Sequence, residues 1–156
     1  MPGRESPAHL EVRSAMTHDS DKLPVTLTHS LKAAIQTFNR GDYFTASEQF
    51  ESAGREAAEP LKGVVEALHR IAAGLHLRFA RGGRQATVNL LSHAMMSLDE
   101  LRPSHAGIDV ERLYNELSAF TDEIRSSPSE YEAGTLRHKT RLFVERRRVP
   151  KIILLD

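Results

Sequence analysis

The acids and histidines placed to do chemistry fall on two neighbouring segments. Ser47, Glu48 and Glu51 lie on the first, and Glu66, His69 and His76 on the second. Carboxylates beside imidazoles are what general acid–base catalysis and metal binding require. Glu66 and His69 have the Glu-x-x-His spacing that aims two ligands at one ion in di-iron bundles, where a second such pair and two more carboxylates complete the site. Here only Glu48 or Glu51 is on offer, with no second pair. Helical geometry also turns Glu66 away from an apolar face centred on Leu68 and leaves His69 and His76 on its flank. Glu51 is placed within the apolar stripe beside Tyr43, Phe44 and Ser47, where a carboxylate must be hydrogen-bonded or neutralised. Ser47, Glu48, Glu51, His69 and His76 therefore form the candidate polar pocket. No residue is assigned a catalytic role, and no metal or cofactor is implied. Ser47 lacks a His–Asp arrangement that would make it a nucleophile, and Gly82-Gly83 is too short to cradle a phosphate.

Charge supplies the second candidate site. Lys and Arg number 21 and so do Asp and Glu, so the total announces neither a nucleic-acid nor a membrane partner. The distribution is uneven. Arg137 to Lys151 carries a net +6, while residues 1–136 carry −5. A basic arm follows an acidic body, and the arm ends in the apolar run Ile152, Ile153, Leu154 and Leu155. One reading folds the arm back on its own bundle. A second uses it to bind a partner protein or another copy of the chain, with Arg146, Arg147 and Arg148 steering and Ile152–Leu155 anchoring. A third sets the arginines on nucleic-acid phosphates, although Phe143 is the one aromatic residue among them.

The elements that position these residues are helical. Leu27, Leu31, Ala34, Ile35 and Phe38 keep helical spacing over about Thr26–Asn39. Gly41 then ends that helix, and Asp42 is the N-cap of a second over about Tyr43–Ala57. Pro60 fits the first turn of a third, whose period runs from Leu61 to Phe79 before Gly82-Gly83 stops it. A fourth runs over about Arg84–Leu101, and Asp109 caps a fifth carrying Val110, Leu113, Leu117, Phe120 and Ile124. Residues 130–148 hold room for one more helix, weakened by Gly134, and the end VPKIILLD reads as an extended tail. No strand pair or hairpin signal precedes that tail. The expected fold is all-α, a compact antiparallel bundle of about five helices with an extended C-terminal arm. It divides into a flexible leader over 1–24, the bundle over 25–127 and the arm over 128–156.

Composition narrows the class. The chain has 156 residues, room for one domain, and 40% of them are hydrophobic, enough for a core. The absence of cysteine removes disulfides, thiolate catalysis and cysteine-ligated metals. No apolar run approaches the roughly 20 residues of a membrane span, so the chain reads as cytoplasmic.

Three stretches carry a resemblance. They are FNRGDYFTASEQFE at 38–51, IAAGLHLRFARGG at 71–83 with NLL at 89–91, and RPSHAGIDVERLYNEL at 102–117. Over roughly residues 30–120 the chain resembles the uncharacterised all-helical family called domain of unknown function 309. That family carries "FN-x-G-x-YF-x-x-HE-x-x-E", an Ala-rich helix ending in Arg-Gly, and a "P-x-x-x-G-I-D-V" turn. Ser47 stands where the family phrase has His, and Gly54 where Trp is usual. The resemblance implies the all-helical fold and no established activity. The expected function is a small non-enzymatic module that binds a protein partner through its arm. The alternatives are a metal-dependent or carboxylate-based hydrolase at the polar pocket and a nucleic-acid accessory factor.

Overall fold

The computed structural model describes residues 25–127 and 135–156. The leader over 1–24 lies outside the described residues, as does the 128–134 stretch that opens the arm. Among the described residues six helices pack antiparallel, joined by one two-strand hairpin. They are α1 (His29–Asn39), α2 (Tyr43–Glu56), α3 (Leu61–Arg81), α4 (Gln85–Asp99), α5 (Val110–Arg125) and α6 (Leu136–Arg147).

Capping chemistry sets most of the boundaries. Thr28 caps α1 by accepting from the Leu31 amide at 3.2 Å, which starts that helix later than Thr26. Asp42 accepts from Thr45 N at 3.1 Å and Asp109 from Arg112 N at 3.0 Å, the two N-caps the sequence predicts. Gly82 closes α3 in the left-handed region with φ +71°. The helices bury leucine, isoleucine, valine and alanine around Phe38, Tyr43, Phe50 and Phe120. Gly74 lets α3 and α4 approach closely, since a Cβ there would stand 3.3 Å from that of Leu90.

Two expectations need correction. A hairpin does precede the tail: β1 (Ser104–His105) pairs antiparallel with β2 (Ile108–Asp109). Its two-residue turn, Ala106-Gly107, has positive φ at both positions, 50° and 78°. That is the turn whose twist suits two adjoining strands, and strands of two residues leave no alternation to read. The arm is also not extended throughout. Its described part is the helix α6, capped by Thr135, whose side chain accepts from His138 N at 3.2 Å. The chain runs extended only from Val149, after α6 ends.

Candidate functional site

The buried face of α2 is Tyr43, Ala46 and Phe50, at spacings of three and four. This face is narrower than a stripe shared with Phe44 would be, and Phe44 is itself 52% exposed. Glu51, one residue past Phe50, therefore turns into solvent, where it meets Arg55 at 3.8 Å. The expectation that Glu51 lies within the buried stripe is thus overturned. Glu48 is exposed as well.

Ser47 and His69 do meet. His69 Nδ1 donates to the Ser47 carbonyl at 3.0 Å, with Ser47 Oγ 3.4 Å away. A neutral imidazole that donates through Nδ1 has no lone pair there to take a proton from the serine. The contact ties α2 to α3 and does not activate a nucleophile. His69 shares a shallow groove of about 310 Å³ with Glu51, Arg55, Lys62 and Glu66. His76 lies elsewhere, its ring 5.0 Å from that of Phe44. Of the five candidate residues, Glu51 and His69 share one groove, His76 lines another, and Ser47 and Glu48 line neither. Among the described residues no three His, Asp or Glu side chains converge as metal ligands.

The arm is held by a site that the sequence reading missed. Arg78, buried on α3, meets Glu145, buried on α6, through two parallel bonds: Nε to Oε2 at 3.0 Å and Nη2 to Oε1 at 2.9 Å. Nη1 donates to the carbonyls of Gly82 and Gly83 at 3.1 and 3.2 Å, and Nη2 also to Ser127 Oγ at 3.3 Å. All five guanidinium donors are engaged, which is what makes a buried charge tolerable. The signal was present: Arg78 continues the Leu68, Ile71, Leu75 phase, so an apolar face carries a cation that needs a buried carboxylate. His138 is buried on the same face of α6. It packs so closely on Gly82 that a Cβ there would stand 2.6 Å from Nε2.

The tail is clasped from two sides. The Asn39 side-chain amide donates to the Ile152 carbonyl at 2.9 Å and accepts from the Ile152 amide at 2.8 Å. Lys151 Nζ donates to the Asn39 carbonyl. On the other side Asp109 N donates to Ile153 O at 2.9 Å and Leu155 N to Gly107 O at 2.7 Å, which joins the tail to β2 through a single antiparallel bridge between Ile108 and Leu154. Ile152 and Val149 are buried and Ile153 is half-buried, while Leu154 and Leu155 stay 40% and 48% exposed. Half of the expected apolar anchor is thus covered by the chain's own bundle.

The three arginines at the end of the arm have separate roles. Arg146 Nη2 donates to the Gly41 carbonyl at 2.7 Å, and its guanidinium lies 5.4 Å over both the Tyr43 and Phe79 rings. Arg147 lies over Phe143 at 5.5 Å. Arg148 pairs with Glu123 of α5 at 3.4 Å. At helical spacing α6 thus presents three stripes. His138 and Glu145 face the bundle. Arg137, Arg141, Val144 and Arg148 line a groove of about 840 Å³ against α5. Leu136, Phe143 and Arg147 face outward.

No described helix is long and apolar enough to cross a membrane. Compared with family models, curated proteins and solved structures, the chain matches none.

Proposed function

We propose that this protein is a non-enzymatic, protein-binding helical module whose contact surface is the solvent side of its C-terminal arm. One observation carries the reading. On α6, Leu136 and Phe143 are 82% and 63% exposed among arginines and a lysine. Apolar side chains grouped within a strongly charged surface are the usual mark of a contact site. The anchor moves from the tail to the helix, because Ile152 is already buried against Asn39 and β2. Arg137, Lys139, Arg141 and Arg147 make no ion pair among the described residues, so a partner with an acidic rim around an apolar patch is complementary.

The resemblance to the family called domain of unknown function 309 enters as a second part of the proposal. Asn39, Gly41, Gly107 and Asp109, from the two most motif-like stretches, all receive the arm. Relatives sharing those stretches would hold an arm in the same way.

The test is affinity capture from lysate of the source cell, with nuclease present, using the full chain and its Leu136→Ser/Phe143→Ser variant. The reading predicts an acidic protein retained by the first, lost by the second and weakened by salt. Equal capture by both overturns it. Material released by nuclease puts the nucleic-acid reading in its place.

A further inference from the structure

We propose that the cleft between the α1–α2 turn, α3 and α6 binds an aromatic anion, meaning a carboxylate or phosphate carried on a flat ring. The cleft is open to solvent and has a volume of about 410 Å³, on the scale of small-ligand pockets. It does not depend on the outward face of α6 and stands whether or not that face binds a protein.

The anion receptor is Arg146. Its guanidinium is fixed by the bond to Gly41 O and by the Tyr43 and Phe79 faces. A guanidinium held in this way loses little side-chain freedom on binding. It has no carboxylate partner among the described residues, and that bond to Gly41 accounts for one of its five donors. Arg40 lines the same cleft and is likewise outside any ion pair among the described residues. The cleft's own acid is Asp42, and its carboxylate is committed to the first turn of α2. The hydrogen bonds from Thr45, with smaller help from Arg40 and Arg146, hold that carboxyl below the usual range. Asp42 is therefore ionised and offsets one of the two cations, and one positive charge remains for a ligand.

The ring receptor is the Phe44–His76 pair. The rings are 5.0 Å apart and inclined by 51°, and both line the cleft. Phe44 lies one residue past the buried face of α2 and gains nothing from the core. A flat ring laid on this pair buries one face against Phe44 and His76, while its anionic substituent takes bidentate bonds from Arg146.

The test is titration of the isotope-labelled full chain with phenyl phosphate, inorganic phosphate and phenol, followed by NMR. Phenyl phosphate is expected to shift the Gly41 and Phe44 amides and the Arg146 side chain saturably. It should bind about tenfold tighter than inorganic phosphate, the ratio that ring stacking and area burial together supply. Benzoate binding at the same residues also supports the site. Phe44→Ala, which changes an exposed side chain, should bring phenyl phosphate down to the affinity of inorganic phosphate. Arg146→Gln should abolish both. Because Arg146 also holds α6, Arg40→Gln is the second charge variant and should weaken both anions without moving α6. The proposal is overturned if no shift saturates, if the two phosphates bind equally to the unaltered chain, or if phenyl phosphate binds Phe44→Ala as well as the unaltered chain.

Discussion

Replacing Glu145 by Ala tests whether Arg78–Glu145 is the bond that fastens the arm. The change leaves Arg78, 1% exposed, with three neutral acceptors and no counter-charge. Removing one partner of a buried pair costs about 3–5 kcal/mol. Against a typical stability of about 5–15 kcal/mol that is a large share. At roughly 2–4 °C per kcal/mol for a chain of this size, the melting temperature should fall by about 6–20 °C. A second route limits the loss. If α6 detaches at a lower free energy than that penalty, Arg78 gains water and the bundle survives. Amide protection over residues 136–147 then disappears while the main transition moves little. Urea denaturation combined with hydrogen exchange separates the two routes. The double replacement Arg78→Met/Glu145→Leu removes both charges and should be less damaging than Glu145→Ala alone, although the Gly82 and Gly83 carbonyls lose a donor. The reasoning fails if Glu145→Ala leaves both the urea midpoint and the α6 protection unchanged. It also fails if the double variant is the less stable of the two.

Three further outcomes follow from the same contacts. Gly82→Ala places a side chain in the left-handed region, at about 1–2 kcal/mol, and drives its Cβ onto His138; His138→Ala in that background should recover part of the loss in urea midpoint. Asn39→Ala should cost about 1–3 kcal/mol by orphaning the Ile152 amide and carbonyl. Asn39→Asp should expose the tail in the same way, because a carboxylate cannot donate to the Ile152 carbonyl; faster exchange of the Ile152 and Leu155 amides is the readout. Glu111 is held below the usual carboxylate range chiefly by hydrogen bonds from Arg102. Its contribution is present above the unfolded pKa of about 4.3 and is lost as pH falls through the lower folded value. Glu111→Gln should therefore lower stability at neutral pH and flatten the acid limb of a urea-midpoint profile.

The helices were legible because each reports itself locally. Asp42 and Asp109 stand where an amide needs an acceptor, Gly82 stands where a left-handed residue must end α3, and the period from Leu61 to Leu75 is unbroken. The hairpin was not legible, since strands of two residues have no periodicity and Ala106 is an unusual residue for its turn. The site was harder still. The position of Glu51 depended on the width of the α2 stripe, and a single exposed phenylalanine, Phe44, had suggested a wider one. Asn39 reads as a turn residue from its neighbours alone. Its partner is Ile152, 113 positions away, and nothing local announces such a pairing. Arg78 was the one long-range signal within reach, a cation in the apolar phase of α3.

The charge asymmetry now divides into two parts with different consequences. On the inner side of the arm, Arg146, Arg148 and Lys151 are committed to Gly41, Glu123 and Asn39. These contacts lie on the exposed rim of the arm, and the Arg148–Glu123 ion pair is weak on its own. They orient the arm while Glu145, Ile152 and Val149 hold it. Arg137 and Arg141 line the α5 groove and Lys139 and Arg147 lie outside it, all four without an ion pair among the described residues, and Leu136 and Phe143 are exposed on the outward stripe. A surface needed only to keep a helix soluble has no use for exposed leucine and phenylalanine. A helix needed only to close the bundle would place them inward, where His138 and Glu145 now stand. The arrangement is reversed. His138 and Glu145 of α6 face the core while Leu136 and Phe143 face solvent, so the buried Arg78–Glu145 pair acts to hold outward a face that burial alone would have turned in.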